Sequence, residues 1–326
     1  MGGSTMFNSN TPYTLLVDQV HTLRSQVPGV RDGDAASVHD ARVATRRIRE
    51  LLQFADGPFS RAADEVRASF RTMGRALGRV RDADVRITLL AELESRVPHV
   101  APRLVTVRQS QEDARLKLMR LAIKRLERLE IENLLNHAVD RGSPIRRMLE
   151  QSSSTGHWRR DLCRTMMDRG RASAEAIEHA TGVYFPNRAH AARIALKKLR
   201  YAMEIAGHMG NGDLHAPLRD LKKGQDVLGD LHDRQALLDD LTSREPNDSE
   251  APEPFGAVIK EVLEAEVRSL HGRYLARRER LLDVSREAQA IRIRRGWRVP
   301  TLVSVSALAL SSGAYVALNK SAVVSR

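Results

Sequence analysis

A stretch of fifteen residues occurs twice in this chain, and any fold has to accommodate both copies. Val38–Leu52 reads VHDARVATRRIRELL, and Ala189–Met203 reads AHAARIALKKLRYAM. His39 lies over His190, Arg42 over Arg193, Arg46 over Lys197, Arg47 over Lys198 and Arg49 over Arg200, at a constant offset of 151 residues. The match resumes downstream at the same offset, where LGRVRDADV (Leu77–Val85) lies over LGDLHDRQA (Leu228–Ala236). Gly78 then meets Gly229, Asp82 meets Asp233 and, a little earlier, Arg71 meets Lys222. Two blocks held in register over that distance read as one duplicated unit, which bears on the fold before any single element does.

The spacing predicts a helix with one basic stripe in each copy. His39, Arg42, Arg46 and Arg49 fall at i, i+3, i+7 and i+10, as do His190, Arg193, Lys197 and Arg200. Val43, Ile48, Leu51 and Leu52 supply packing positions for the first helix, and Ile194, Leu199 and Met203 for the second. Solvated helix faces usually interleave both signs of charge. These stripes hold cations and no acid, so the repulsion points to an anion that offsets it. Arg67, Arg71 and Arg75 form a second cationic ladder at i, i+4 and i+8, and Lys222, Lys223 and His232 are the cations of the segment that carries the second LGxxxD block. Asp82 and Asp233 read as carboxylates that orient a nearby guanidinium rather than as catalytic acids.

The pattern H-x-x-R-[VI]-A-x-[RK]-[RK]-[IL]-R, followed by LGxxRDxDV and by Lys197, Leu199, Arg200, Tyr201 and Glu204 of a KxLRYxxE signature, resembles the CHAD domain. That name abbreviates conserved histidine α-helical domain, and the resemblance covers about Pro12 to Glu287. It implies an all-α fold of two pseudo-symmetric helical bundles around a basic central groove. It also implies non-enzymatic binding of inorganic polyphosphate and association with polyphosphate granules in the cytoplasm. Carried onto this sequence, the expected polyphosphate contacts are His39, Arg42, Arg46, Arg47, Arg49, Arg71, Arg75, His190, Arg193, Lys197, Lys198, Arg200, Lys222 and Lys223. The repeat is imperfect: Arg75 faces Asp226 and Arg81 faces His232, so the halves are not expected to contribute equally.

Bulk properties agree with a polyanion partner. The 326 residues carry a formal net charge of +12, enough chain for a real core and enough charge to attract a polyanion or an anionic membrane. The single cysteine, Cys163, excludes an internal disulfide and suits a reducing compartment. The first residues, MGGSTMFNSN, show neither a basic nor an apolar leader region, and residues 1–11 are expected to be disordered.

Residues 12–150 read as the first helical repeat and 157–298 as the second, with the polar run QSSSTG (Gln151–Gly156) between them. Thr11-Pro12 opens the first helix and Pro28-Gly29 is expected to end it. A long helix is expected to reach about Asn136, and another to run from about Phe255 towards Arg294. Residues 299–319 contain no charge and match the ~20 residues needed to cross a bilayer. They are a candidate transmembrane or membrane-associated tail, and the arginines before them would keep the body in the cytoplasm.

The sequence contains no GxxxxGK[ST] phosphate loop, HExxH, GxSxG or CxxC, and no enzymatic activity or cofactor is expected. A metal held by His39, His190 and His232 is disfavoured by the cations around all three. Two alternatives to polyphosphate remain open. One is nucleic acid, for which the 4% aromatic content leaves few stacking platforms; the other is a membrane-tethered scaffold whose basic surface holds anionic lipid. Histidine participation would weaken binding as pH rises through about 6.5.

Overall fold

The computed structural model describes residues 11–54, 60–209, 213–243 and 255–291. The expectations for the N-terminal ten residues and for the tail at 299–319 fall outside them. Every regular element among the described residues is a helix. In chain order these are α1 (Pro12–Arg31), α2 (Ala35–Leu51), α3 (Ser60–Arg96), α4 (Ala101–Arg128), α5 (Ile131–Val139), α6 (Pro144–Thr155), α7 (His157–His179), α8 (Pro186–His208), α9 (His215–Ser243), α10 (Phe255–Leu275) and α11 (Arg278–Ala290). Short 3₁₀ turns at Leu52–Phe54 and Pro98–Val100 follow α2 and precede α4. None of the described helices is long and apolar enough to cross a membrane.

Local chemistry fixes the starts of the helices. Thr11 and Thr14 cap α1 reciprocally, with Pro12 at the first helical position. Asp34 opens α2 by accepting the Ser37 N–H at 2.7 Å, and hydrogen bonding from the Ser37 side chain, followed by that backbone bond, holds the Asp34 carboxyl below its ordinary pKa. Ser143 caps α6 in the same way, accepting from the backbone of Ile145 and Arg146.

Several boundaries differ from the sequence reading. Helix α1 runs through Pro28-Gly29, because Val27 and Val30 are buried and Asp32 and Asp34 donate back to the carbonyls of Pro28 and Gly29. A proline in the last turn forfeits one hydrogen bond, and the packing of that turn outweighs it. The helix expected to reach Asn136 breaks after Arg128, where Glu130 adopts φ 46° and α5 starts. The last helix breaks at Ala276-Arg277 into α10 and α11. Gln151–Thr155 continue α6 instead of forming a loop, and the break is the single residue Gly156, at φ 71°.

Signature helix α2 packs between α1 and α3, and α8 between α7 and α9. Three apolar clusters fill the interior, and two of them draw residues from both halves of the chain. One joins Val20, Ile48, Phe70 and Met73 to Leu149, Trp158 and Leu162, and to Ala202 and Ala206 at the end of α8. Another joins Leu89, Leu90 and Leu93 of α3 to Leu237 and Leu241 of α9 and to Ile259 and Leu263 of α10. Each such side chain contributes about 1.5–3 kcal/mol when fully buried. The third lies beneath α8, among α7, α9, α10 and α11. The described residues therefore belong to one compact unit, in which α2 meets α8 and α3 meets α9. Those two crossings carry the site.

Candidate functional site

At the α2–α8 crossing the two basic stripes face each other. Lys197 of α8 is half-buried, and the charges acting most strongly on it are Arg46, Arg193, Arg42 and Lys198, all cations. Burial first, and then those neighbours, bring its pKa down to about 7. Arg42 is lowered for the same reasons, burial ahead of Arg46, with Asp82 and Tyr201 opposing. Four cationic side chains from the two copies thus converge, and none of the four charges dominating Lys197 is an acid.

The paired glycines explain how two of these arginines are seated. A Cβ built at Gly78 of α3 would lie 3.4 Å from Arg42 Nε, and one at Gly229 of α9 would lie 3.9 Å from Arg193 Nε. Each guanidinium therefore lies across a helix surface that the glycine leaves low. Asp82 follows Gly78 by one helical turn and acts on Arg42 through space, and Asp233 acts on Arg193 in the same manner. Asp233 itself is raised by burial, with Arg193 opposing and Asp82 adding to the rise.

Arg46 is held from the other half of the chain. Its Nη1 donates to the Tyr201 hydroxyl at 2.7 Å, and Tyr201 is buried. The guanidiniums of Arg46 and Arg200 lie 5.7 and 5.4 Å from the centre of the Tyr201 ring. Such contacts favour a fixed guanidinium over a freely solvated one.

Three imidazoles line the same region. His190 of α8 and His232 of α9 stack at 4.7 Å between ring centres, tilted by 49°. Burial lowers both, followed by Arg193 and Lys197 at His190, and by Arg193 and His190 at His232. His39 of α2 is lowered by burial and then by Arg81. All three fall below the ordinary histidine value of about 6.5, so neutral imidazole prevails at pH 7 in the unliganded chain.

The remaining sequence candidates occupy the edges. Glu204 lies 3.3 Å from both Arg47 and Arg200, one from each copy, so that pair ties the crossing together. Lys222 pairs with Asp226 at 2.9 Å, one turn along α9. Arg49 feels Arg71 and Arg67 on α3, and its buried Nε has no hydrogen-bond partner. Arg71, Arg75, Lys198, Lys222 and Lys223 are exposed.

Sequence reasoning missed several supports. Arg169 of α7 donates to Glu50 at 2.6 Å, to Gln53 at 3.1 Å and to the Lys198 carbonyl at 2.7 Å, joining the end of α2 to α8. Arg115 of α4 pairs with buried Asp84 and donates to the Gly33 carbonyl at 2.8 Å, which steadies the start of α2. Neither arginine belongs to a repeated block, so only the tertiary arrangement reveals it. Among the described residues no group of three or more His, Cys, Asp or Glu side chains is placed to hold a metal ion.

Comparison with known proteins follows the same outline. A family model described as the CHAD domain matches residues 14–242. The structure is similar to the crystal structure of the CHAD domain from the plant Ricinus communis, with a TM-score of 0.55 and 20% sequence identity, covering 87% of this chain and 92% of that one. At that identity the likeness concerns the fold. No curated protein matches the sequence.

Proposed function

The chain belongs to the CHAD domain family, and from that premise we propose that the seam where α2, α3, α8 and α9 meet binds inorganic polyphosphate without covalent chemistry. The family is associated with polyphosphate binding in general. The observation that carries the reading here is the meeting of Arg42, Arg46, Arg193 and Lys197 without a dominant acid. Holding four cations together costs free energy that a run of phosphates offsets. Each charge-assisted hydrogen bond contributes about 1.5–3 kcal/mol net, and counterion release from the polyanion adds a salt-dependent part. Arg49, Arg71 and Arg75 extend the basic surface along α2 and α3, and Lys198, Lys222 and Lys223 along α8 and α9. His39, His190 and His232 donate N–H to phosphate oxygens. In this reading Asp82 and Asp233 orient the arginines, and the chain is drawn to polyphosphate-rich granules.

Nucleic acid fits less well. The aromatic ring at the seam, Tyr201, is buried and engaged by Arg46, so it offers no face on which a base could stack.

Binding should take up protons, and this tests the reading directly. Lys197 titrates near 7 in the free chain and is pushed higher by bound phosphate. It is charged in both states below about 7, so its linkage acts above that value and ends at the raised, bound-state pKa. Affinity for polyphosphate is expected to fall by up to about tenfold per pH unit across that window. The histidines add a second fall that starts below the value of about 6.5 that sequence alone suggests, because their free-state pKa values are depressed. Calorimetry in buffers of different ionisation enthalpy measures the proton uptake. Zero uptake at pH 8, with affinity flat from 7 to 9, would contradict a site centred on Lys197.

A further inference from the structure

We propose that Lys197 is a modification site for acyl phosphates, whose phosphate group the seam binds while the lysine amine takes the acyl group. The inference rests on the anion-binding reading above but concerns a covalent event which that reading does not require. Arg46, Arg193 and Arg42 are the charges that act most strongly on Lys197, and His232 of α9 feels its charge as well. Guanidiniums remain protonated and bind phosphate oxygens as forks, so they hold the donor and do not react with it. Lys197 is the amine among them, and it is half-buried on the face of α8 that meets α2. Arg46 is fixed by the Tyr201 hydroxyl at 2.7 Å, and Arg42 lies across Gly78, so the phosphate-binding groups are largely positioned before any donor arrives.

A phosphate seated on those arginines leaves its acyl carbon beside the Lys197 nitrogen. The neutral amine attacks that carbon and forms a C–N bond. The C–O bond to phosphate breaks, the electron pair leaves with inorganic phosphate, and the proton released from nitrogen passes to that phosphate or to solvent. No oxidant, metal or second substrate is needed. Burial and the surrounding cations bring Lys197 to about 7, so a large fraction of the amine is unprotonated at neutral pH. An ordinary lysine, near 10.4, is almost entirely protonated there. Acylation removes one positive charge from the centre of the seam and so weakens its hold on polyanions. Polyphosphate occupying the seam protects the amine in turn.

The test uses the full chain at pH 7 with acetyl phosphate, reading acetylation at each lysine by peptide mass spectrometry. Lys117 and Lys124 of α4 and Lys260 of α10, all exposed, serve as internal references. Lys197 is expected to acetylate at least about tenfold faster than these, as its neutral fraction demands. Polyphosphate is expected to suppress that reaction and spare the references. An uncharged N-hydroxysuccinimide ester should show markedly less preference for Lys197, because it lacks the phosphate. Acetylation spread over the lysines according to exposure would overturn the proposal, and so would equal preference with the uncharged ester. Polyphosphate binding is measured on the same preparation before labelling. Selective, ester-discriminating acetylation without polyphosphate binding supports the acyl site and removes the polyphosphate reading. Polyphosphate binding with unselective acetylation removes the acyl site alone.

Discussion

Replacing Arg42, Arg46, Arg193 and Lys197 together with alanine is expected to weaken polyphosphate binding by at least about a thousandfold, or about 4 kcal/mol, while the chain still melts cooperatively. Four charge-assisted contacts at about 1.5–3 kcal/mol each exceed that figure, which leaves room for non-additivity. The fold should survive, because the four side chains repel one another. The principal structural loss is the bond from Arg46 to the Tyr201 hydroxyl. A control removes the same number of charges from α4, changing Lys117, Arg120, Lys124 and Arg128 to alanine. All four are exposed there, and the expected loss is no more than about tenfold. Similar losses in the two variants would mean that total charge, rather than the arrangement at the seam, governs binding. Affinity and thermal unfolding measured on both variants decide the matter.

The second large effect concerns the scaffold. At Gly170 of α7 an added Cβ would lie 2.6 Å from the Ser285 backbone oxygen and 2.9 Å from Gln289 Cγ on α11. A backbone oxygen cannot swing aside, and Ser173 and Ser285 hydrogen-bond beside it at 3.1 Å, so α7 and α11 would have to separate. Overpacking of this kind costs about 1–3 kcal/mol. Gly272 of α10 has nothing within 4 Å of its added Cβ, so the same substitution there should bring only the ~0.5–1 kcal/mol gained by replacing a helical glycine. Gly170→Ala is therefore expected to lower Tm by several degrees and Gly272→Ala to raise it slightly, with polyphosphate affinity unchanged in both. Equal shifts in Tm would contradict the α7–α11 packing.

The features that repeat were legible from sequence. Helical periodicity places His39, Arg42 and Arg46 on one face regardless of context, and His190, Arg193 and Lys197 repeat that spacing. What periodicity cannot supply is which surfaces meet. The pairing of Gly78 with Gly229 does not tell what lies over either one; the Arg42 guanidinium lies over Gly78, and Gly229 faces Arg193 likewise. Arg200 belongs to its stripe by spacing and Arg47 only to the repeated block, yet Glu204 lies against both at the crossing. Sequence alone assigns histidine its ordinary basicity, whereas burial and neighbouring cations lower it. The helix breaks at Glu130 and at Ala276-Arg277 carry no glycine or proline, and local sequence gives little warning of them. Conversely, Pro28 and the serine run before Gly156 look like breakers and remain helical, because buried neighbours such as Val27, Val30, Met148 and Leu149 hold those turns in place.

The central claim is that a shaped cationic seam, not a diffuse basic surface, recognises chains of phosphate. A salt titration of the chain against long-chain polyphosphate and duplex DNA, matched in phosphate concentration, tests it most directly. Diffuse attraction decays with salt for both ligands, whereas hydrogen bonds from fixed guanidiniums persist. Binding to polyphosphate that survives physiological salt after DNA has dissociated is the predicted result. Equal affinities that collapse together as salt rises would contradict it.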